Sequence, residues 1–126
     1  MTKIKTVLII EDDRFIGEMY VLSLRQEGYT VDWQTTGTAG LAAALETPYD
    51  IILLDIMLPE AQGGAVLQEL RGNGDKVPSS RILVLTNFDQ DEETKASMMD
   101  KIDGYLIKAD ITPRKLLEII DGMEKA

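Results

Sequence analysis

The sequence predicts an α/β domain built on a doubly wound parallel sheet. Three observations carry that expectation. Short, wholly apolar runs recur at Val7–Ile10, Ile51–Leu54 and Ile82–Leu85. Segments with apolar residues at helical spacing lie between them. The two kinds of segment alternate along the chain. A run such as Ile51-Ile52-Leu53-Leu54 is too short for an ordinary helix and has no polar face, so it fits a strand covered on both sides. Strands alternating with helices imply right-handed βαβ units, and hence parallel strands with helices packed on both faces. At 126 residues the chain is long enough for one real core, and a single domain over residues 1–126 is expected.

Each element follows from its residues. Lys3–Ile10 is the first expected strand. A helix from about Asp13 to Glu27 carries Ile16, Met19, Tyr20 and Leu24 on one stripe, and Gly28 stops it. Thr30–Thr35 is the second strand. Gly37–Glu46 is an alanine-rich helix expected to turn Leu41, Ala44 and Leu45 to one face, and it ends before Pro48. After the third strand, a turn with Pro59, Gly63 and Gly64 leads into a helix with Val66, Leu67 and Leu70 inward. Gly72–Ser80 is a polar loop, and Arg81–Thr86 holds the fourth strand. Asp89–Asp100 is a weaker, charged helix, and Gly104–Ile107 is the fifth strand. Thr112–Met123 is the last helix, with Thr112 as its cap, Pro113 in its first turn, and Leu116, Ile119 and Ile120 inward. No internal repeat or linker interrupts the series.

Composition narrows the chemistry. There is no cysteine and no histidine, which removes thiol, disulfide and histidine-based catalysis and the usual zinc sites. A formal net charge of −9 opposes direct binding to the phosphate backbone of nucleic acid. No apolar run approaches the ~20 residues of a membrane helix. The N-terminal residues lead straight into a strand-like run, so no signal peptide and a cytoplasmic location are expected.

The residues that follow the strands form a set. Glu11, Asp12 and Asp13 follow the first, Asp55 the third, Thr86 closes the fourth, and Lys108 follows the fifth. In an open parallel sheet all these ends lie along one edge, and ligands bind there where the strand order reverses. With the order 2-1-3-4-5, strands one and three are neighbours about 5 Å apart. Asp12 and Asp55 would then face each other. Two carboxylates about 4 Å apart repel by roughly 4 kcal/mol at an effective dielectric of 20, so the cluster calls for a cation. Lys108 supplies one charge, and a hard divalent ion such as Mg²⁺ (or Mn²⁺) suits the oxygen ligands. Taken singly, each of these residues has an ordinary reading as a turn residue, a helix cap or a solvated lysine. Their convergence on one edge does not.

Val7-Leu8-Ile9-Ile10-Glu11-Asp12-Asp13, Ile51-Ile52-Leu53-Leu54-Asp55-Ile56-Met57-Leu58-Pro59, Leu85-Thr86 and Gly104-Tyr105-Leu106-Ile107-Lys108 together resemble the receiver domain of two-component response regulators, of the chemotaxis-regulator type. The resemblance spans essentially the whole chain and implies a flavodoxin-like sheet of order 2-1-3-4-5 with five helices. It implies that Asp55 is a phosphoacceptor and that Asp12 is a direct metal ligand, with Glu11 acting mainly through water. The Met57 backbone carbonyl would be the third protein ligand, and Asp13 a helix-start residue. Thr86 and Lys108 would bond phosphoryl oxygens, and Tyr105 would be an aromatic switch residue acting with Thr86. It further implies a sensor histidine kinase or phosphotransfer protein as donor. The face of the fourth helix, fifth strand and fifth helix would change for a downstream protein or a second copy. Such a chain modifies itself rather than turning over a separate substrate. Phe15 and Leu22, seven residues apart and off the core stripe, mark a docking face for the kinase on the first helix.

Other classes fit less well. A phosphohydrolase of the haloacid-dehalogenase type needs a second aspartate two residues after the nucleophile, and Met57 stands there. A flavodoxin needs phosphate loops rich in Ser, Thr and Gly. A receiver-like module that only binds partners would have lost a pocket residue, and none is lost. The chain does depart from the family pattern. Ala109 follows Lys108 where proline is usual, and a cis bond before a non-proline costs ~3 kcal/mol, so the resemblance does not fix that loop. Asn87 replaces a small residue and would narrow access to Asp55. Lys101 stands where a glycine often ends the fourth helix. Met57 and Phe88 occupy positions that tune phosphoryl lifetime, and neither can position a water. Self-dephosphorylation is therefore expected to be slow, and a half-life of seconds for the phosphorylated chain would contradict this.

Overall fold

A computed structural model describes residues 3–58 and 63–126, so Pro59 of the expected turn lies outside the described residues. Five parallel strands form one sheet in the order β2-β1-β3-β4-β5: β1 Thr6–Ile10, β2 Thr30–Gln34, β3 Ile51–Asp55, β4 Arg81–Thr86 and β5 Gly104–Ile107. The helices are α1 Arg14–Gln26, α2 Gly37–Glu46, α3 Gly63–Arg71, α4 Glu92–Met99 and α5 Pro113–Asp121. This is the doubly wound architecture expected from the alternating pattern.

Alternate residues of the central strands divide the core in two. Leu8, Ile10, Ile52, Leu54, Ile82 and Val84 pack with Ala44, Val66, Leu67, Leu70 and Met98 of α2, α3 and α4. Val7, Ile9, Ile51, Leu53, Leu83 and Leu85 pack with Tyr20, Val21, Leu24, Leu116 and Ile120 of α1 and α5. Both faces of β1, β3 and β4 are thus buried, which is why those strands read as continuous apolar runs. On α2 the expected face is shifted. Gly37, Gly40 and Ala44 are buried while Leu45 is half exposed. Apolar character misplaces the contact here because the helix approaches closely at glycine: a Cβ on Gly40 would lie 2.6 Å from Ile10 Cδ1.

The helix ends follow local chemistry. Asp13, Thr36, Asp91 and Thr112 are N-caps whose side chains accept from Ile16, Ala39, Thr94 and Lys115 backbone N–H groups at 3.0, 3.1, 2.7 and 3.1 Å. Gly28, at φ +97°, follows α1. Its N–H and that of Tyr29 donate to the carbonyls of Arg25 and Leu24 at 3.0 and 3.1 Å, closing the helix in the left-handed geometry that favours glycine. α4 needs no glycine. The Lys101 ammonium donates to the Ser97 carbonyl at 2.8 Å, and its backbone N–H donates to Met98. After β5, Lys108–Asp110 form a short 3₁₀ turn, and no peptide bond among the described residues is cis.

Gly17 brings α1 against β2. An added methyl there would sit 2.4 Å from Trp33 Cζ2. The indole cannot swing away freely, because its Nε1–H donates to the Glu11 carbonyl at 2.9 Å. Alanine gains at most ~1 kcal/mol of helix propensity over glycine, which overpacking outweighs. Gly17→Ala is expected to destabilise the fold by about 1–3 kcal/mol, read as a lower urea midpoint together with altered Trp33 emission.

Candidate functional site

Register assembles the acidic edge. β1 and β3 pair Ile10 with Leu54, so the next residues, Glu11 and Asp55, emerge side by side. Asp55 pairs with Leu85 of β4, and Thr86 with Ile107 of β5, which brings Thr86 and Lys108 to the same edge. Glu11, Asp55 and Thr86 are all buried. The Lys108 side chain is only 9% exposed, and its ammonium lies between the two acids. It donates to Glu11 Oε1 and, at 3.0 Å, to Asp55 Oδ2. The other Asp55 oxygen, Oδ1, accepts from the Met57 backbone N–H at 2.8 Å. The carboxylate of Asp55 is therefore held from two sides.

Asp12 completes the acidic group and is solvent-exposed. Carboxylate oxygens of Glu11, Asp12 and Asp55 all lie within 4.8 Å of one another. Three hard oxygen donors at that spacing fit a small divalent cation such as Mg²⁺ or Mn²⁺ and offer nothing to a soft one. Asp13, by contrast, caps α1.

The buried charges set each other's protonation. Burial pushes Glu11 well above the usual carboxylate range, and neighbouring Asp55 pushes it further while Lys108 opposes both. Burial also works to raise Asp55, but the bond with Glu11, the Met57 amide and Lys108 together hold it below its ordinary value. Burial disfavours the Lys108 charge, and the two acids more than restore it. Within this pair Glu11 is the acid that holds a proton more tightly and Asp55 the one that ionises more readily.

The switch candidates lie in a second network. Thr86 Oγ1 donates to the Phe88 carbonyl at 2.9 Å and accepts from Gln90 Nε2 at 2.9 Å. The half-buried Tyr105 donates its hydroxyl proton to Asp89 Oδ1 at 2.8 Å and accepts from the Gln90 backbone N–H at 2.7 Å. Lys95 pairs with Asp89 at 2.8 Å and stands 5.0 Å from the Tyr105 ring centroid. Gln90, Asp89, Lys95 and Trp33 were not among the residues the sequence singled out. They act through contacts between segments, and no periodicity or motif marks them. Met57, Asn87 and Phe88 are exposed beyond the strand ends, so Asn87 does not fill the interior of the site. Phe15 and Leu22 on α1 are 80% and 54% exposed.

This fold and edge define a class of signalling domain. A family model for the response regulator receiver domain matches residues 7–121, and the chain belongs to that family, the receiver domains of two-component systems. Transcriptional regulatory protein QseB of Haemophilus influenzae is 40% identical over 102 residues, covering 81% of this chain and 45% of that protein. QseB of Escherichia coli O157:H7 is 36% identical over 118 residues, covering 94% and 51%. The chain spans about half the length of these curated relatives. A CheY-like receiver domain from Methanospirillum hungatei is similar with a TM-score of 0.78 at 29% identity, covering 94% of this chain and 91% of that one. Response regulator TrrA of Thermotoga maritima, solved in complex with Mg(2+)-BeF, is similar with a TM-score of 0.76 at 26% identity, covering 92% and 96%. Among the described residues no helix is long and apolar enough to cross a membrane.

The proton held by Glu11 makes stability depend on pH. Glu11 titrates in the folded chain at about 8 rather than 4.5, so its contribution is present in full below 4.5 and is lost as pH rises through 8. Asp55, lowered in the fold, contributes in the opposite sense and only at acid pH. With divalent ions chelated, the thermal midpoint is expected to fall between about pH 4.5 and about pH 8 and to level off above that. Glu11→Gln should flatten that slope, and Mg²⁺ should reverse it by favouring ionised ligands. A rising profile in chelator would contradict a proton held by Glu11.

Proposed function

We propose that the chain accepts a phosphoryl group on Asp55 and thereby switches its surface between two states. The observation that carries this reading is the buried Asp55 carboxylate held ionised between the Lys108 ammonium and the Met57 N–H, at the edge of a three-carboxylate group suited to Mg²⁺. A carboxylate oxygen of Asp55 attacks phosphorus of a phosphohistidine on a sensor histidine kinase or phosphotransfer protein, or of a small donor such as acetyl phosphate. The new P–O bond forms as the P–N or P–O bond to the donor breaks, and the leaving group takes the electron pair. Lys108 offsets the charge on the transferred oxygens. Mg²⁺, when bound by Asp12, Asp55 and the Met57 carbonyl with Glu11 through water, supplies further neutralisation of that charge. The acyl phosphate later hydrolyses, which returns the chain to its start; the chain acts on itself and is not a turnover enzyme. That TrrA was solved with Mg(2+)-BeF supports this chemistry by similarity.

Thr86 and Tyr105 are then the switch. Drawing the Thr86 hydroxyl to a phosphoryl oxygen removes it from the Phe88 carbonyl, and Tyr105 turns with the loosened segment. The face formed by α4, β5 and α5 changes shape for a downstream protein or a second copy. A cytoplasmic setting fits such a partner. The net charge of −9 argues that the chain itself does not bind nucleic acid directly. The exposed pair Phe15 and Leu22, on the helix that starts beside Asp12, is proposed as the kinase-docking face.

Two measurements test this. Incubation with acetyl phosphate and Mg²⁺ should add the mass of one phosphoryl group to the chain and none to Asp55→Asn; a stable acyl phosphate in that variant would overturn the assignment. Lys108→Met should slow labelling by roughly 10²-fold. For docking, Phe15→Ala/Leu22→Ala should lose transfer from the kinase while keeping acetyl phosphate labelling. Unchanged transfer rejects the docking face alone.

A further inference from the structure

We propose that Gln90 is a positioning residue that holds the resting arrangement against phosphoryl acceptance, fixing the Thr86 hydroxyl through its side chain and the Tyr105 hydroxyl through its backbone. The inference rests on the phosphoacceptor reading above. It concerns a residue outside the acidic edge, and it starts from the arithmetic of one hydroxyl. Thr86 is fully buried and has a single proton to give. That proton goes to the Phe88 carbonyl at 2.9 Å. Gln90 Nε2 reaches both members of this bond, Thr86 Oγ1 at 2.9 Å and the Phe88 carbonyl at 3.2 Å. The amide must face them with its nitrogen, because a carbonyl oxygen only accepts and the opposite orientation would set two acceptors together. One amide with two N–H donors therefore closes a triangle that keeps the Thr86 hydroxyl on the Phe88 carbonyl.

The same residue controls the other end of the segment. Its backbone N–H donates to the Tyr105 hydroxyl at 2.7 Å, and that hydroxyl donates to the adjacent Asp89 at 2.8 Å. Residues 86–90 are thus anchored at Thr86 and at Tyr105 by bonds that share Gln90. To bond a phosphoryl oxygen, Thr86 must swing its hydroxyl proton away from the Phe88 carbonyl, and that opens the triangle that Gln90 closes. The Gln90 side-chain bonds belong to the resting arrangement alone. They lower the population of the receptive arrangement, and apparent affinity falls in proportion. Gln90 lines an open cleft of about 310 Å³ between α3 and α4, together with Leu67, Gln68 and Met98. Shortening it enlarges a solvent-facing space and not a sealed core, so the variants should fold.

The test uses beryllofluoride with Mg²⁺ as the phosphoryl mimic. Trp33 emission is the readout, since its indole is bonded to the Glu11 carbonyl. Gln90→Ala should bind the mimic roughly fivefold to tenfold more tightly than wild type, the net worth of about one neutral hydrogen bond. Gln90→Met keeps the length and volume but has no donor, and it should match Gln90→Ala. Combined with Tyr105→Phe, either variant should give a non-additive change, because both act on one segment. A wild-type affinity in Gln90→Met, with a shift in Gln90→Ala alone, would assign Gln90 to packing and overturn the proposal. So would weaker binding in both. If wild type itself gives no response to the mimic, the phosphoacceptor reading fails, and the role of Gln90 falls with it.

Discussion

One ammonium between two buried carboxylates is the constraint on which this molecule turns. Lys108, Glu11 and Asp55 are all withdrawn from water and sit within bonding distance of one another. Taking the Lys108 and Asp55 charges out of solvent costs several kcal/mol each, and their attraction repays it only when the geometry is tight, while Glu11 limits the cost by holding its proton. That geometry comes from the ends of β1, β3 and β5, with β4 lying between the last two. It survives because β1, β3 and β4 are sheathed in apolar side chains on both faces, so they cannot slip in register without exposing a core layer. The stability of the sheet is what permits an unfavourable concentration of charge at its end.

The site is also asymmetric in rigidity. On the acidic side, Asp55 is fixed by a strand, a lysine and a backbone amide, and Glu11 is tied through its carbonyl to Trp33. On the side of Thr86 and Tyr105, Asn87, Phe88 and Asp89 are exposed, and α4 buries only Met98. Few apolar contacts hold that helix, and elements of that kind are the ones that open and shift at low free-energy cost. Polar bonds through Gln90, Asp89 and Lys95 supply order there in place of packing. A bonded segment can exchange one set of partners for another, whereas a packed core resists continuous change. A rigid acidic edge beside a hydrogen-bonded rim is therefore physically coherent with the two-state surface proposed above.

Much of the fold was legible because its causes are local. Apolar runs marked β1, β3 and β4, and the Thr112 cap marked the start of α5, whereas the caps Thr36 and Asp91 were not singled out and α4 begins at Glu92 rather than Asp89. The strand-end acids and Lys108 were legible because parallel strands send all such residues to one edge. The expectation failed at Leu45. Hydrophobicity placed it inward, while the helix approaches the sheet through Gly37 and Gly40. It was silent on Trp33, which fits over Gly17 only once α1 and β2 are side by side. It was silent on Arg71 as well. That guanidinium donates to the Lys101 carbonyl at 2.8 Å and pairs with Asp75 and Asp103 at 3.3 and 3.4 Å, joining α3, the loop after it and the end of α4.

By itself the sequence determined the order of strands and helices, the parallel sheet, and the list of groups that the strand ends deliver: two adjacent acids, a lone aspartate, a threonine and a lysine. These follow from periodicity and from capping and turn chemistry, all of which act over a few residues. Only the tertiary structure decided the protonation of Glu11, the ionised state of Asp55 and the partners of Thr86 and Tyr105. Each of those depends on burial and on distances between segments far apart in the chain. A carboxylate's pKa is set by the water it loses and the charges it meets, and neither is written in its neighbours along the sequence.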